Sequence, residues 1–283
     1  MSISTQTRLA RTDARTEDCD DNRPAPSVET PTLPPVFAIH GTASSGRQWQ
    51  SLAAHLGASR TLIAPDLPGY GATPSQLDRL SYLEAMLWQS PGPMDLVAHS
   101  FGGAVALMLA NRNPDRVRSL TLFDPVMPVL PGRGAASVAP DLRVLWTQVR
   151  GQPAPVMMAR FLDFWCAPGT WIGLPRHRQD ALLTQSAALT RDFEEICAGY
   201  WTVAHPAYFG PVTVLRGGRS PQVTVDVSAK ILADYPQARC TVLPGLGHMA
   251  PLTHADQVNP HFAAALAEAA PQRGTACGLL SAA

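Results

Sequence analysis

The stretch Met94-Asp95-Leu96-Val97-Ala98-His99-Ser100-Phe101-Gly102-Gly103, running on into Ala104–Ala110, decides the fold. Met94–Ala98 is a short apolar run without strict alternation, as expected of a parallel strand buried on both faces. Ala104–Ala110 reads as helix. A serine on so sharp a strand-to-helix turn needs small residues two positions to either side, because the backbone is pinched there. Gly102 meets that need on one side and Ala98 on the other. Such a turn exposes the hydroxyl and aims the following N–H groups at the same spot. Taken alone, the pentapeptide also reads as a Gly-rich helix start with a capping serine.

Similar runs stand on both sides of it. Val36–Ile39, Thr61–Ala64, Val117–Phe123, Val212–Leu215 and Arg239–Leu243 are strand candidates, with helix-length segments at Gln48–Gly57, Ser75–Gln89 and Gly102–Asn111 between the early ones. Strand and helix in alternation predict an α/β fold with a mostly parallel sheet flanked by helices. The rhythm breaks between 125 and 210, where only helical patterns occur: Leu142–Val149, Val156–Trp165, Gln179–Leu189 and Phe193–Val203. This stretch reads as a helical lid inserted after the strand that ends at Asp124. The core is then 34–124 together with 211–270. Residues 1–33, polar and then Pro-rich, read as a disordered or loosely draped leader, and 271–283 as a flexible tail.

Composition excludes several classes. The chain has 283 residues, 46% of them hydrophobic, and its 22 basic residues balance 22 acidic ones. Zero net charge gives no footing for a nucleic-acid or acidic-membrane partner. Five scattered cysteines, with no C-x-x-C pair and no His cluster at ligand spacing, predict neither a disulfide framework nor a structural metal. No window is long and apolar enough for a membrane span, and the acidic residues Glu17, Asp18, Asp20 and Asp21 do not suit a secretory or transit leader. A cytoplasmic protein without cofactor, acting on a small-molecule substrate as monomer or homodimer, is the expectation.

In open α/β sheets the chemistry gathers at the carboxyl ends of the strands. After the first strand, His40-Gly41-Thr42-Ala43-Ser44-Ser45-Gly46 can turn the Thr42 N–H toward Ser100, where with the Phe101 N–H it would form an oxyanion hole. His40 is expected to hold that loop by hydrogen bonds. After the last strand, Pro244-Gly245-Leu246-Gly247-His248-Met249 places a histidine on a Gly-flanked loop, exposed enough for a general base. His254 and His261 read as surface or capping residues.

Together with Ala64-Pro65-Asp66-Leu67-Pro68-Gly69-Tyr70-Gly71 after the second strand, these strand ends resemble the α/β-hydrolase family over about Val36 to Ala269. The resemblance implies Ser100 as nucleophile, His248 as base, and Thr42 and Phe101 as oxyanion donors. The family usually places its acid in a turn after the penultimate strand. Here that turn is Leu215-Arg216-Gly217-Gly218-Arg219-Ser220-Pro221, with Ser220 where the acid would stand. Asp124, ending Val117–Phe123, is the favoured replacement, since some members of the family carry the acid on that strand. Asp226, a Ser–His pair without an acid, and a merely capping Asp124 stay open.

A serine nucleophile excludes the alkyl-ester chemistry that dehalogenases and epoxide hydrolases run on an aspartate, and points to an acyl-enzyme. The predicted lid holds four of the six tryptophans (Trp146, Trp165, Trp171, Trp201), with Phe161, Phe164, Phe193, Tyr200, Met157 and Met158. Most should form the lid's own core. Trp165, Phe161 and Met249 are taken as substrate-binding residues, for a hydrophobic carboxylic ester of modest size. Arg160, Arg176 and Arg178 suit either a substrate carboxylate or a solvated face. Alternatives are a thioesterase, a C–C bond hydrolase or a perhydrolase using the same site, and a non-catalytic ligand-binding protein.

Overall fold

In the structure, a computed structural model that describes residues 33–129 and 138–269, the apolar runs pair as six parallel strands. These are β1 (Val36–Ile39), β2 (Leu62–Ile63), β3 (Met94–His99), β4 (Val117–Phe123), β5 (Val212–Gly217) and β6 (Ala238–Leu243). Every predicted strand forms. The one predicted at Thr61–Ala64 contracts to two residues, because β2 is an edge strand with β1 as its one neighbour. The predicted leader lies outside the described residues except for Leu33, and the predicted tail lies wholly outside them.

Strand residues alternate between two cores, which is why the runs are apolar throughout. Phe37 and Ile39 of β1, Leu96 and Ala98 of β3, and Leu120 and Leu122 of β4 face one core. Val36, Ala38, Val97 and Phe123 face the other. The first core is covered by α2 (Arg79–Gln89), α3 (Phe101–Arg112) and α9 (Gln222–Asp234), the second by α1 (Gln50–Leu56) and α11 (Ala255–Glu268), which follows the short α10 (Ala250–Thr253). The helix predicted at Ser75–Gln89 starts later, because Asp78 caps it by accepting the Ser81 N–H at 2.8 Å. That at Gln48–Gly57 begins as a 3₁₀ turn, Gly46–Trp49.

Between β4 and β5 the described residues hold α4 (Pro140–Val149), α5 (Ala154–Trp165), α6 (Thr170–Gly173), α7 (Arg176–Leu183) and α8 (Ser186–Cys197). Two of the predicted helices are redrawn. Gln179–Leu189 is cut at Thr184 and Gln185, and the helix expected to reach Val203 stops at Cys197, two residues before Gly199 turns to φ 73°. The inserted aromatics largely pack on each other. Trp146 stacks on Phe193 at 5.3 Å, and Phe161 meets Phe193 and Trp165 edge-on.

The strand order β2-β1-β3-β4-β5-β6 places the chemistry. The chain leaves β1 outward to β2, then returns across it to β3, so the loops after β1 and β3 diverge and leave a crevice between them. Those two loops carry Thr42 and Ser100. α3 starts directly against the end of β1: a Cβ on Gly102 would stand 2.5 Å from the His40 carbonyl oxygen and 2.7 Å from that of Ile39. Only glycine allows that approach.

Candidate active site

Three described non-glycine residues have positive φ, and each lies just past a strand end at the crevice: Ala43 (55°), Ser100 (56°) and Asp124 (42°). Each such conformation costs about 1–3 kcal/mol and persists only where neighbours hold it. For Ser100 the neighbours are explicit. Its N–H donates to the Phe123 carbonyl at 3.1 Å, and its own carbonyl accepts the N–H groups of Gly103 (2.8 Å) and Val126 (3.0 Å). The hydroxyl is left free of cap duty, since no side-chain capping bond forms at α3. Phe101 is the first residue of α3, where N–H groups have no acceptor within the helix.

The loop after β6 brings His248 to this hydroxyl, with Nε2 3.0 Å from Ser100 Oγ. Two contacts fix the loop and ring. His99 Nε2–H donates to the His248 carbonyl at 2.9 Å, and the Trp165 ring of α5 stacks on the imidazole at 4.0 Å and 30°. On the far side of the ring, His248 Nδ1 faces Asp124 Oδ2 at 3.4 Å and makes no hydrogen bond among the described residues. Asp124 is fully buried at the end of β4. Its Oδ1 accepts the Gly217 N–H at 3.0 Å and its Oδ2 the Ser220 hydroxyl at 2.5 Å. Ser220, which stands at the family's usual acid position, thus donates to the carboxylate that stands on the neighbouring strand. Asp226, the alternative acid, is hydrogen-bonded to Gln222 on the surface of α9.

His40 is buried beneath the loop after β1. Its Nδ1–H donates to the Gly41 carbonyl (2.8 Å), and its Nε2 accepts the Leu67 N–H (2.9 Å), which ties this loop to the one after β2. Burial lowers its pKa to about 4, against the raising effect of Gly41 and Asp66, so the ring is neutral near pH 7. Asp66 holds the same two loops together by accepting the Gly46 N–H at 2.7 Å. Burial also lowers the pKa of His99 well below the ordinary value, with His248 adding to it. His254 stands at the N-cap position of α11 without a side-chain capping bond and is exposed, as is His261.

Among the predicted substrate residues, Trp165 touches His248 directly and keeps a buried Nε1 with no partner among the described residues. Phe161 lies behind it, 6.3 Å away, and Met249 is half-buried beside His248. A cleft of about 1000 Å³ opens between the loop after β1 and α6–α7, with Ala43, Leu174, Leu182 and Arg178 on its walls. Arg176 instead pairs with Asp180 at the surface. Sequence reasoning missed Ser220 as a donor, His99, and Asp192 of α8, whose Oδ2 accepts the Thr42 hydroxyl at 2.6 Å. Nothing local in the sequence marks these partners, each of which is far from its target in the chain. The described residues contain no group of three or more His, Cys, Asp or Glu placed to hold a metal ion, and no helix long and apolar enough to cross a membrane.

A family model described as "Alpha/beta hydrolase family" matches residues 36–261, most of the chain and all six strands. The chain belongs to the alpha/beta hydrolase family. Within it, this chain is 46% identical over 98 residues to Lipase LipV of Mycobacterium tuberculosis, a match that covers 32% of this chain and 37% of that protein. The chain thus spans little more than a third of LipV. It is 25% identical over 246 residues to the 2-hydroxymuconate semialdehyde hydrolase of Pseudomonas sp. (strain CF600), covering 78% of this chain and 82% of that one. The structure of an esterase from Thermogutta terrifontis superposes with a TM-score of 0.62 at 24% identity, over 85% of this chain and 92% of the other, a likeness of fold.

Proposed function

We propose that this hydrolase cleaves small-to-medium hydrophobic carboxylic esters through an acyl-enzyme on Ser100. The observation that carries the reading is the 3.0 Å approach of His248 Nε2 to a serine hydroxyl held at φ 56° on the turn into α3. In this mechanism the Ser100 hydroxyl attacks the ester carbonyl while Nε2 takes its proton. The oxyanion is received by the N–H groups of Thr42 and Phe101. The imidazolium, facing Asp124, then protonates the leaving alkoxide, and water repeats the sequence on the acyl-enzyme. The buried carboxylate keeps Nδ1 protonated and the ring oriented.

The inserted helices act as a lid, and Trp165 as the apolar wall over His248. Its unpartnered Nε1 gives the wall one hydrogen-bond donor for a substrate oxygen. LipV, a lipase by name, supports ester chemistry. A second reading, C–C bond hydrolysis, is favoured by the match to the 2-hydroxymuconate semialdehyde hydrolase, which runs along most of both chains.

The test is incubation with a fluorophosphonate and with p-nitrophenyl acetate and butyrate, followed by mass spectrometry of the adduct. Labelling at Ser100 with ester turnover is expected, and Ser100→Ala should abolish both. Labelling without ester turnover would favour the C–C reading. A chain that neither labels nor turns over would be a ligand-binding relative, and full activity in Ser100→Ala would overturn the assignment.

A further inference from the structure

We infer that Asp192, carried into the core by α8, is the positioning residue of the oxyanion loop, so that the inserted helices and the oxyanion hole work as one unit. The inference rests on the reading of Thr42 and Phe101 as oxyanion donors. Asp192 is fully buried and lies 150 residues from Thr42 in the chain. Its Oδ2 accepts the Thr42 hydroxyl at 2.6 Å and the Tyr70 hydroxyl at 2.5 Å. Its Oδ1 faces the buried Arg79 guanidinium in an ion pair. Tyr70 Oη in turn accepts the Ala43 N–H at 3.4 Å, at the strained residue that turns the loop away from Thr42.

The second donor residue stands on the same group of side chains. The Arg79 guanidinium lies 5.0 Å from the centre of the Phe101 ring, and Trp201 meets that ring edge-on at 5.5 Å. Glu195, also of α8, accepts from Arg79 Nη1 and Trp201 Nε1, each at 3.1 Å, and from Arg191 Nε at 2.8 Å. Two carboxylates on one inserted helix therefore anchor both residues whose N–H groups receive the oxyanion. A buried ion pair is seldom the most stable way to fill a core, because desolvation offsets its attraction. Here it supplies direction. A carboxylate bond to the Thr42 hydroxyl fixes the Thr42 rotamer, and with it the peptide plane that carries the N–H.

The experiment compares Thr42→Ser, which keeps the hydroxyl, with Thr42→Val, which keeps the shape and loses it. The ratio of their kcat values on p-nitrophenyl butyrate should be about 10²-fold in favour of serine, with KM values within about threefold of each other. Inhibition by a boronic acid, a tetrahedral mimic, should weaken in step with kcat. A structural role would lower thermal stability without that proportionality. In the Thr42→Val background, Asp192→Asn should cost several-fold less than it does in the wild type, since the Thr42 N–H is then already released and only the path through Arg79 to Phe101 is left to lose. Equal kcat for the two Thr42 variants would overturn the inference, as would multiplicative losses in the double variant. If Asp192→Asn does not fold, the Thr42 pair decides alone. A wild-type chain that neither labels at Ser100 nor turns over ester would end the functional reading and this one together, whereas an active wild type with equal Thr42 variants ends only this one.

Discussion

Ser220 Oγ lies 2.5 Å from Asp124 Oδ2, and that same oxygen faces His248 Nδ1 at 3.4 Å. A hydroxyl therefore stands where the family's acid usually does and donates to the carboxylate proposed to replace it. With the Gly217 N–H on the other oxygen, the buried Asp124 is solvated by donors as a charged group requires. The arrangement makes the two positions exchangeable in principle. Asp124→Asn should lower kcat about 10⁴-fold, and adding Ser220→Asp in that background should recover at least about tenfold, measured on p-nitrophenyl butyrate. Recovery would mean that either strand can supply the acid. A loss below about tenfold in Asp124→Asn alone would remove that residue from the mechanism. The sequence placed Asp124 at the end of its strand by run length and neighbours, but the partnership with Ser220 is across strands and invisible to any local pattern.

At the scale of elements, α5 ends at Trp165, whose ring covers the imidazole of His248 at 4.0 Å. That contact makes one helix terminus both a support for the proposed base and the proposed wall of the acyl site. Trp165→Ala should reduce the preference for butyrate over acetate esters by about tenfold, near the worth of two buried methylenes. Comparing kcat/KM on the two esters checks it, and an unchanged ratio would place the acyl group elsewhere. The helix α5 itself was legible, because its apolar positions repeat at helical spacing. The division between α7 and α8 was not. Gln179–Leu189 reads as one helical pattern with nothing local to mark the break at Thr184–Gln185, and α8 beyond that break carries Asp192 to Arg79 and Thr42. The short edge β2 and the late start of α2 likewise depend on partners, a single neighbouring strand in one case and the Asp78 cap in the other.

At the scale of the whole molecule, the crevice is built over two neutral histidines that join separate loops. His40 links the loops after β1 and β2, and His99 links β3 to the loop of His248. Burial lowers the pKa of both, that of His40 to about 4. Between about pH 4 and the ordinary value of 6.5 the unfolded chain binds protons that the folded one does not, so stability rises with pH across that window. The His40 contribution, about 3 kcal/mol, is complete above the unfolded pKa and is lost as pH falls through the folded one. His99 acts with the same sign. His40→Gln should therefore be less stable than wild type near about pH 7.5, and the gap in denaturation midpoint should close toward about pH 4.5 as the wild type gives up the same term. A gap that stays constant would mean that the histidine contributes shape alone. A gap that closes would tie the acid limit of the fold to the residue that seats the loop of Thr42, so that loss of the proposed site and loss of the structure would begin at the same place.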